Sequence, residues 1–165
     1  MHHIITIHGP LGAGKSTLTT LLREQLPTYS YVDRPYIKRG LKPAGKEQAL
    51  ALSKKASYML IEELVSLGQD IIAEEVTPVS MKKHFGEEFF KKHHYTIIPF
   101  YLTCSVETAI ERDLNRGKTI LGEAGVRNIH ENYAKPADYE IIINTEQAST
   151  QQCLQHMLTN INRNT

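Results

Sequence analysis

Eight residues, Gly9-Pro10-Leu11-Gly12-Ala13-Gly14-Lys15-Ser16, have the spacing G-x-x-x-x-G-K-[ST], which suits them to holding a polyphosphate. Gly9, Gly12 and Gly14 let the backbone turn through conformations that a Cβ forbids, so successive N–H groups can point inward at phosphate oxygens. Lys15 adds a cation that can reach the β- and γ-phosphates, and the Ser16 hydroxyl is placed to ligate Mg²⁺. The expected nucleotide-binding set is therefore Gly9, Gly12, Ala13, Gly14, Lys15, Ser16 and Thr17.

Transfer of a phosphoryl group needs more than a cradle. An acceptor hydroxyl has to be aligned, and a carboxylate should orient it or take its proton. Asp33 is the candidate, ending an apolar stretch and followed by Arg34, Lys38 and Arg39, three cations suited to an anionic acceptor. Glu74 closes Ile71-Ile72-Ala73, as a strand would deliver a carboxylate to the Mg²⁺ shell or to the acceptor; the alternative is a cap on the next helix through Thr77. By strand alternation Glu75 should point to the opposite side, so that only one of the two serves. Arg112 and Arg116 are four apart and share a helix face, where guanidinium groups could close over the phosphates, with Arg127 closing from the far edge.

These groups need a scaffold that brings them to one place. Ile4, Ile5 and Ile7 form a β-branched run into the loop, and Leu18, Leu21, Leu22 and Leu26 recur at helical spacing after it, up to Pro27. A phosphate in the loop would then sit at a helix N-terminus. Further strands are expected at 29–33, 70–74, 96–103 (bulged at Pro99) and 139–144. Helices are expected at 46–67, at 79–93 with Gly86 as a weak point, from Ser105 to about Arg116, and at 150–161, with a glycine-rich loop or short helical lid at about 117–127. Strands alternating with helices predict one α/β domain over residues 1–165, a five-stranded parallel sheet with helices on both faces and a short lid, with ligands at the carboxyl ends of the strands.

Nineteen basic against eighteen acidic side chains leave a net charge of +1, which does not favour general nucleic-acid binding. Composition is that of a soluble protein, no apolar run reaches membrane-spanning length, and the N-terminus enters a strand almost at once, so cytoplasmic residence without a signal peptide or membrane is expected. Cys104 and Cys153 read as small buried residues. The eight histidines are scattered and read as surface or strand-edge residues without metal-binding spacing. Nothing in the sequence sets an oligomeric state.

Together, the loop, Asp33, the long helix, Ile71-Ile72-Ala73-Glu74, Arg112 with Arg116, and the stretch from Tyr133 to Thr145 resemble the small P-loop kinases, a P-loop NTPase group that includes adenylylsulfate kinase, polynucleotide 5′-kinase and zeta-toxin-type kinases. The segment Asp33-Arg34-Pro35-Tyr36-Ile37-Lys38-Arg39-Gly40-Leu41 is similar to the D-G-D-N-[IV]-R-x-G-L motif of adenylylsulfate kinases, and Arg112-Asp113 matches their lid pair. Pro35, however, stands where that motif has its second aspartate, and proline cannot orient a hydroxyl or a metal-bound water. The resemblance implies an ATP- and Mg²⁺-dependent phosphotransferase acting on a hydroxyl of a small-molecule or nucleotide-like acceptor. The alternatives are a nucleic-acid 5′-end kinase and a nucleotide-binding switch that hydrolyses slowly.

Overall fold

The strand β1 (His2–His8) lies in the middle of the sheet, as its run of isoleucines requires, since Ile4, Ile5 and Ile7 are all fully buried. The computed structural model describes residues 1–41, 45–115, 117 and 120–164. After β1 and the glycine loop come α1 (Lys15–Gln25), β2 (Ser30–Asp33), α2 (Arg34–Gly40), α3 (Lys46–Ser66) and β3 (Ile71–Glu74). The chain continues through α4 (Pro78–Phe85), α5 (Glu87–Lys92), β4 (Tyr95–Thr103), α6 (Val106–Leu114), α7 (Glu123–Asn132), β5 (Ile141–Asn144) and α8 (Thr150–Arg163). All five strands are parallel, in the order β2-β3-β1-β4-β5, which is the expected five-stranded α/β sheet.

Alternation along β1 divides the core. Ile5 and Ile7 face a cluster with Leu18 and Leu22 of α1 and Leu154, Met157 and Ile161 of α8. Ile4 faces the other way, onto Tyr58, Ile61 and Val65 of α3 and Met81 of α4. Each fully buried large apolar side chain contributes about 1.5–3 kcal/mol, so both helical layers hold the sheet firmly. Among the described residues no helix is long and apolar enough to cross a membrane.

Several local expectations change. The segment after Asp33 forms a helix, α2, with Asp33 as its N-cap and Pro35 in its first turn, where the missing N–H is harmless. The helix expected at 79–93 is two helices, divided at Gly86, whose φ of 76° a helix cannot continue through. No bulge forms at Pro99: β1 pairs with β4 in unbroken register from His2↔Tyr95 to His8↔Tyr101, and β5 pairing begins only at Phe100, leaving one edge of β4 open at the proline. The lid region contributes a longer helix than expected, α7, running on to Asn132. Both cysteines are buried and free. His3 and His8, expected at the surface or a strand edge, are buried inside the central strand at 2% and 3% exposure.

Candidate functional site

The sheet order lays out the site. The phosphate loop rises from the central strand, β2 and β3 end on one side of it, and β4 and β5 end on the other. A cleft of about 1060 Å³ runs across these ends from α2 to the start of α8.

In the loop, Gly9, Gly12 and Gly14 have φ of 149°, 77° and 79°. A Cβ on Gly9 would lie 2.0 Å from the Leu102 carbonyl oxygen, and one on Gly12 would lie 2.7 Å from Ala109 Cα. Backbone packing therefore demands glycine at both positions. Gly14 caps α1 without a side-chain hydrogen bond, so no side chain competes for the first-turn amides. Lys15 Nζ donates to the carbonyls of Gly9 (2.7 Å) and Pro10 (2.8 Å) and pairs with Glu75 Oε1 at 3.0 Å.

Glu74, 3% exposed, receives hydrogen bonds from Ser16 Oγ to Oε1 (3.1 Å) and from Tyr31 OH to Oε2 (2.7 Å). Burial, reinforced by the Glu74 carboxylate, holds the Tyr31 hydroxyl well above the usual tyrosine range, which keeps it a donor. A buried carboxylate satisfied by hydroxyls carries a charge that these partners do not neutralise. With the Ser16 hydroxyl it makes an all-oxygen donor pair beside the phosphate cradle, chemistry that fits Mg²⁺.

Past Glu74 the chain leaves the strand. Glu75 has φ of 60°, a left-handed conformation for a residue with a Cβ, and its backbone is clamped by its own N–H on the Ile7 carbonyl (2.8 Å) and by Arg34 Nη1 on its carbonyl (2.9 Å). Local strain of this kind persists where the surroundings over-determine it. It overrides the strand alternation, so that Glu74 and Glu75 both line the cleft. Strand periodicity gave no sign of this; the Glu-Glu pair directly before a turn was the available signal.

Asp33 is placed differently. It pairs in register with Glu74, but its Oδ1 accepts from the Tyr36 N–H (2.7 Å) as the cap of α2, and it is not among the residues lining the cleft. Arg34, Lys38 and Arg39 do line it, together with Pro35 and Leu50, making the α2 end of the cleft cationic.

At the opposite end Arg112 donates from Nη1 to the Gly12 carbonyl (2.8 Å) and Thr145 Oγ1 (2.9 Å), and from Nη2 to the Thr145 carbonyl (2.9 Å), tying α6 to the loop and to the end of β5. Asp113, 1% exposed, accepts at Oδ2 from the N–H groups of Leu121 and Gly122 and so anchors the returning lid segment. Arg116 lies outside the described residues. Arg127 is paired with Glu123 (2.9 Å) and Glu107 (3.3 Å) on an exposed surface, and does not line the cleft. His130 of α7 reaches the loop, its Nε2 lying 2.8 Å from the Leu11 carbonyl; because a carbonyl only accepts, Nε2 carries the proton.

Two further groups support the loop, the buried His8 and the partly exposed Tyr133, and neither role was expected from the sequence. His8 Nε2 lies 2.8 Å from Glu140 Oε1, and Tyr133, stacked on His8, accepts at its hydroxyl from the Gly9 N–H (3.0 Å). Burial and then the Glu75 charge raise the Tyr133 hydroxyl above its ordinary range, so it remains protonated beside the loop.

Comparison with known proteins bears on the fold and the family. A "Probable adenylyl-sulfate kinase" of Archaeoglobus fulgidus is 27% identical over 157 residues, covering 88% of this chain and 97% of that protein. Among solved structures, a putative kinase from Chloroflexus aurantiacus superposes with a TM-score of 0.71 at 18% identity, over 96% of this chain and 98% of its own. The Mycobacterium tuberculosis APS kinase in complex with AMPPNP and APS superposes with a TM-score of 0.70 at 14% identity, over 98% of each chain. The fold is that of the P-loop kinases. The Zeta toxin family model matches residues 3–165, a span that takes in the glycine loop, Glu74 and Glu75, α6 and α7, and the chain belongs to that family.

Proposed function

We propose that the protein is an ATP-dependent phosphotransferase that moves the γ-phosphoryl group to a hydroxyl of an anionic small-molecule or nucleotide-like acceptor. The observation that carries this reading is the position of the Lys15–Glu75 pair, which joins the phosphate loop to the cation-lined α2 end of the same cleft. ATP lies with its phosphates in the loop and on the α1 N-terminus, and with its base toward Arg112 and Thr145. Ser16 and Glu74 would hold Mg²⁺, which would supply charge neutralisation at the phosphates. Lys15 exchanges its loop carbonyls and Glu75 for phosphate oxygens, which frees the Glu75 carboxylate between donor and acceptor. The acceptor oxygen forms the new bond to the γ-phosphorus, the bond to the β-phosphate oxygen breaks, ADP leaves, and the acceptor proton passes to Glu75. Asp33 retains the α2 cap and thereby holds Arg34, Lys38 and Arg39 toward the acceptor. Arg112 steadies the lid base against the loop, with Arg116 as the expected closing group.

The name of the archaeal relative suggests adenylylsulfate as an acceptor to try, and that molecule is both anionic and nucleotide-like. Pro35 at the cleft wall argues against simply transferring that specificity, because it removes a carboxylate from the motif. The test is transfer of ³²P from γ-labelled ATP to adenylylsulfate, nucleosides, sugars, antibiotics and 5′-hydroxyl oligonucleotides. Label on a small anionic acceptor is the expected result. Label on the oligonucleotide alone favours an end kinase, and hydrolysis in every lane overturns phosphoryl transfer in favour of a nucleotide switch.

A further inference from the structure

Beneath the α2 end of the cleft a narrow crevice runs inward between Arg34, Lys54, Ser57, Tyr58 and Ser80, sharing Arg34 and Glu75 with the cleft itself. Two donors there are buried without a hydrogen-bond partner among the described residues: Arg34 Nε and the hydroxyl of Tyr58, a residue only 4% exposed. Lys54 adds an ammonium 5.7 Å above the Tyr58 ring. The neighbouring hydroxyls are committed to backbone, Ser57 Oγ donating to the Ser53 carbonyl (2.8 Å) and Ser80 Oγ to the Thr77 carbonyl (3.0 Å). The Glu75 carboxylate, which also borders the crevice, is paired with Lys15 here, and once nucleotide draws Lys15 away the Arg34 and Lys54 charges have to outweigh it.

A buried, unpaired N–H of a guanidinium and a buried, unpaired phenol are costly, and natural proteins keep such groups where something else satisfies them. Arg34 is fixed for such a role by its position at the start of α2 and by the Nη1 bond to the Glu75 carbonyl, which leaves Nε as the open edge of the fork. All the uncommitted hydrogens in this crevice belong to donors, and two of the three donor groups are cationic. The complementary ligand is an oxyanion.

We infer that Arg34 Nε, Tyr58 OH and Lys54 form a subsite for a fixed acidic group of the acceptor, a phosphate, sulfate or carboxylate, separate from the phosphate loop. As it stands the crevice is too narrow for a water molecule, so an acidic group would have to displace the exposed Lys54 side chain to enter. The inference rests on the phosphotransferase reading and refines it, since an acceptor anchored here by its acid would have its position beside Glu75 set by that anchor.

The test follows the Arg34 Nε–H resonance by NMR, assigned by its disappearance in Arg34→Lys, with the loop saturated by AMPPNP and Mg²⁺ so that added anions cannot act there. Separate titrations use inorganic sulfate, inorganic phosphate and acetate at constant ionic strength, with chloride as the reference. A saturable shift with sulfate or phosphate but not acetate assigns a phosphoryl or sulfuryl group, and a saturable shift with acetate assigns a carboxylate. In either case Tyr58→Phe should weaken the midpoint by at least about tenfold while leaving AMPPNP affinity intact. Removing an unpaired buried hydroxyl should also leave the thermal midpoint unchanged or raise it, whereas a hydroxyl with a structural role would lower it. No saturable shift with any oxyanion, or the same midpoint in Tyr58→Phe, overturns the subsite while the kinase reading stands. Failure of AMPPNP to bind overturns the kinase reading, and the subsite's role with it.

Discussion

The two ends of the cleft are built by opposite means. At the phosphate end the geometry is set by backbone: glycines pressed against Leu102 and Ala109, a helix start free of side-chain caps, and Arg112, Tyr133 and His130 each bonded to a main-chain atom of the loop. At the α2 end, where the proposed acceptor would bind, it is set by side chains, namely a strained Glu75, a cationic α2 face and donors left open beneath it. A polyphosphate is the same whatever the enzyme, so a main-chain cradle suffices. An acceptor has to be distinguished from other molecules, and that requires side chains whose identity can change without rebuilding the sheet.

The comparison breaks most visibly if the phosphate end tolerates change. Gly9→Ala should cost more than about 4 kcal/mol, read as loss of the cooperative thermal transition, because its Cβ meets a backbone carbonyl at 2.0 Å and cannot be relieved by a rotamer. Lys15→Ala should fold and lose roughly 10³-fold in kcat/KM, with weakened ATP binding by calorimetry. Unchanged turnover would remove the loop from the chemistry.

Glu75→Gln should lower kcat by about 10²-fold without weakening ATP, since Lys15 loses its competing partner. Asp33→Asn is the sharpening control. Asparagine caps a helix as well as aspartate, so if Asp33 serves only as the α2 cap, activity should fall by no more than about twofold. A loss as large as that of Glu75→Gln would return the proton to Asp33. The smallest effect belongs to Arg39→Ala: a rise of about threefold to tenfold in acceptor KM at low salt that fades as ionic strength rises, because this side chain is exposed.

How much could be read from the sequence follows the same division. The loop, the strands and the sheet's parallel character were legible because glycine spacing, β-branched runs and helical leucine spacing are local signals. The acceptor side was less so. Pro35 was read only as a departure from the adenylylsulfate kinase motif and α2 went unassigned, although proline in a first helical turn behind an aspartate cap is a favourable start. Glu75 was assigned to the wrong face because alternation was carried one residue past the end of β3, where φ turns positive. Arg112 was legible as a cleft residue, but its partners, the Gly12 carbonyl and Thr145, lie 100 and 33 residues away in sequence and no spacing rule reaches them. His8 was read as a surface or strand-edge residue because nothing local announces Glu140 as its buried partner.

The hydrogen bond from His130 to the Leu11 carbonyl couples α7 to the loop. Linkage is reciprocal: if a nucleotide in the loop strengthens or breaks this bond, then whatever holds or releases α7 changes nucleotide affinity by the same factor. This hydrogen bond alone, at about 0.5–1.5 kcal/mol, would carry a coupling of up to roughly tenfold, and the bond from the Gly9 N–H to Tyr133 at the end of α7 adds to it. A substitution or partner on the outer face of α7, far from any phosphate, would therefore act as a modest dial on ATP occupancy rather than as an on-off switch.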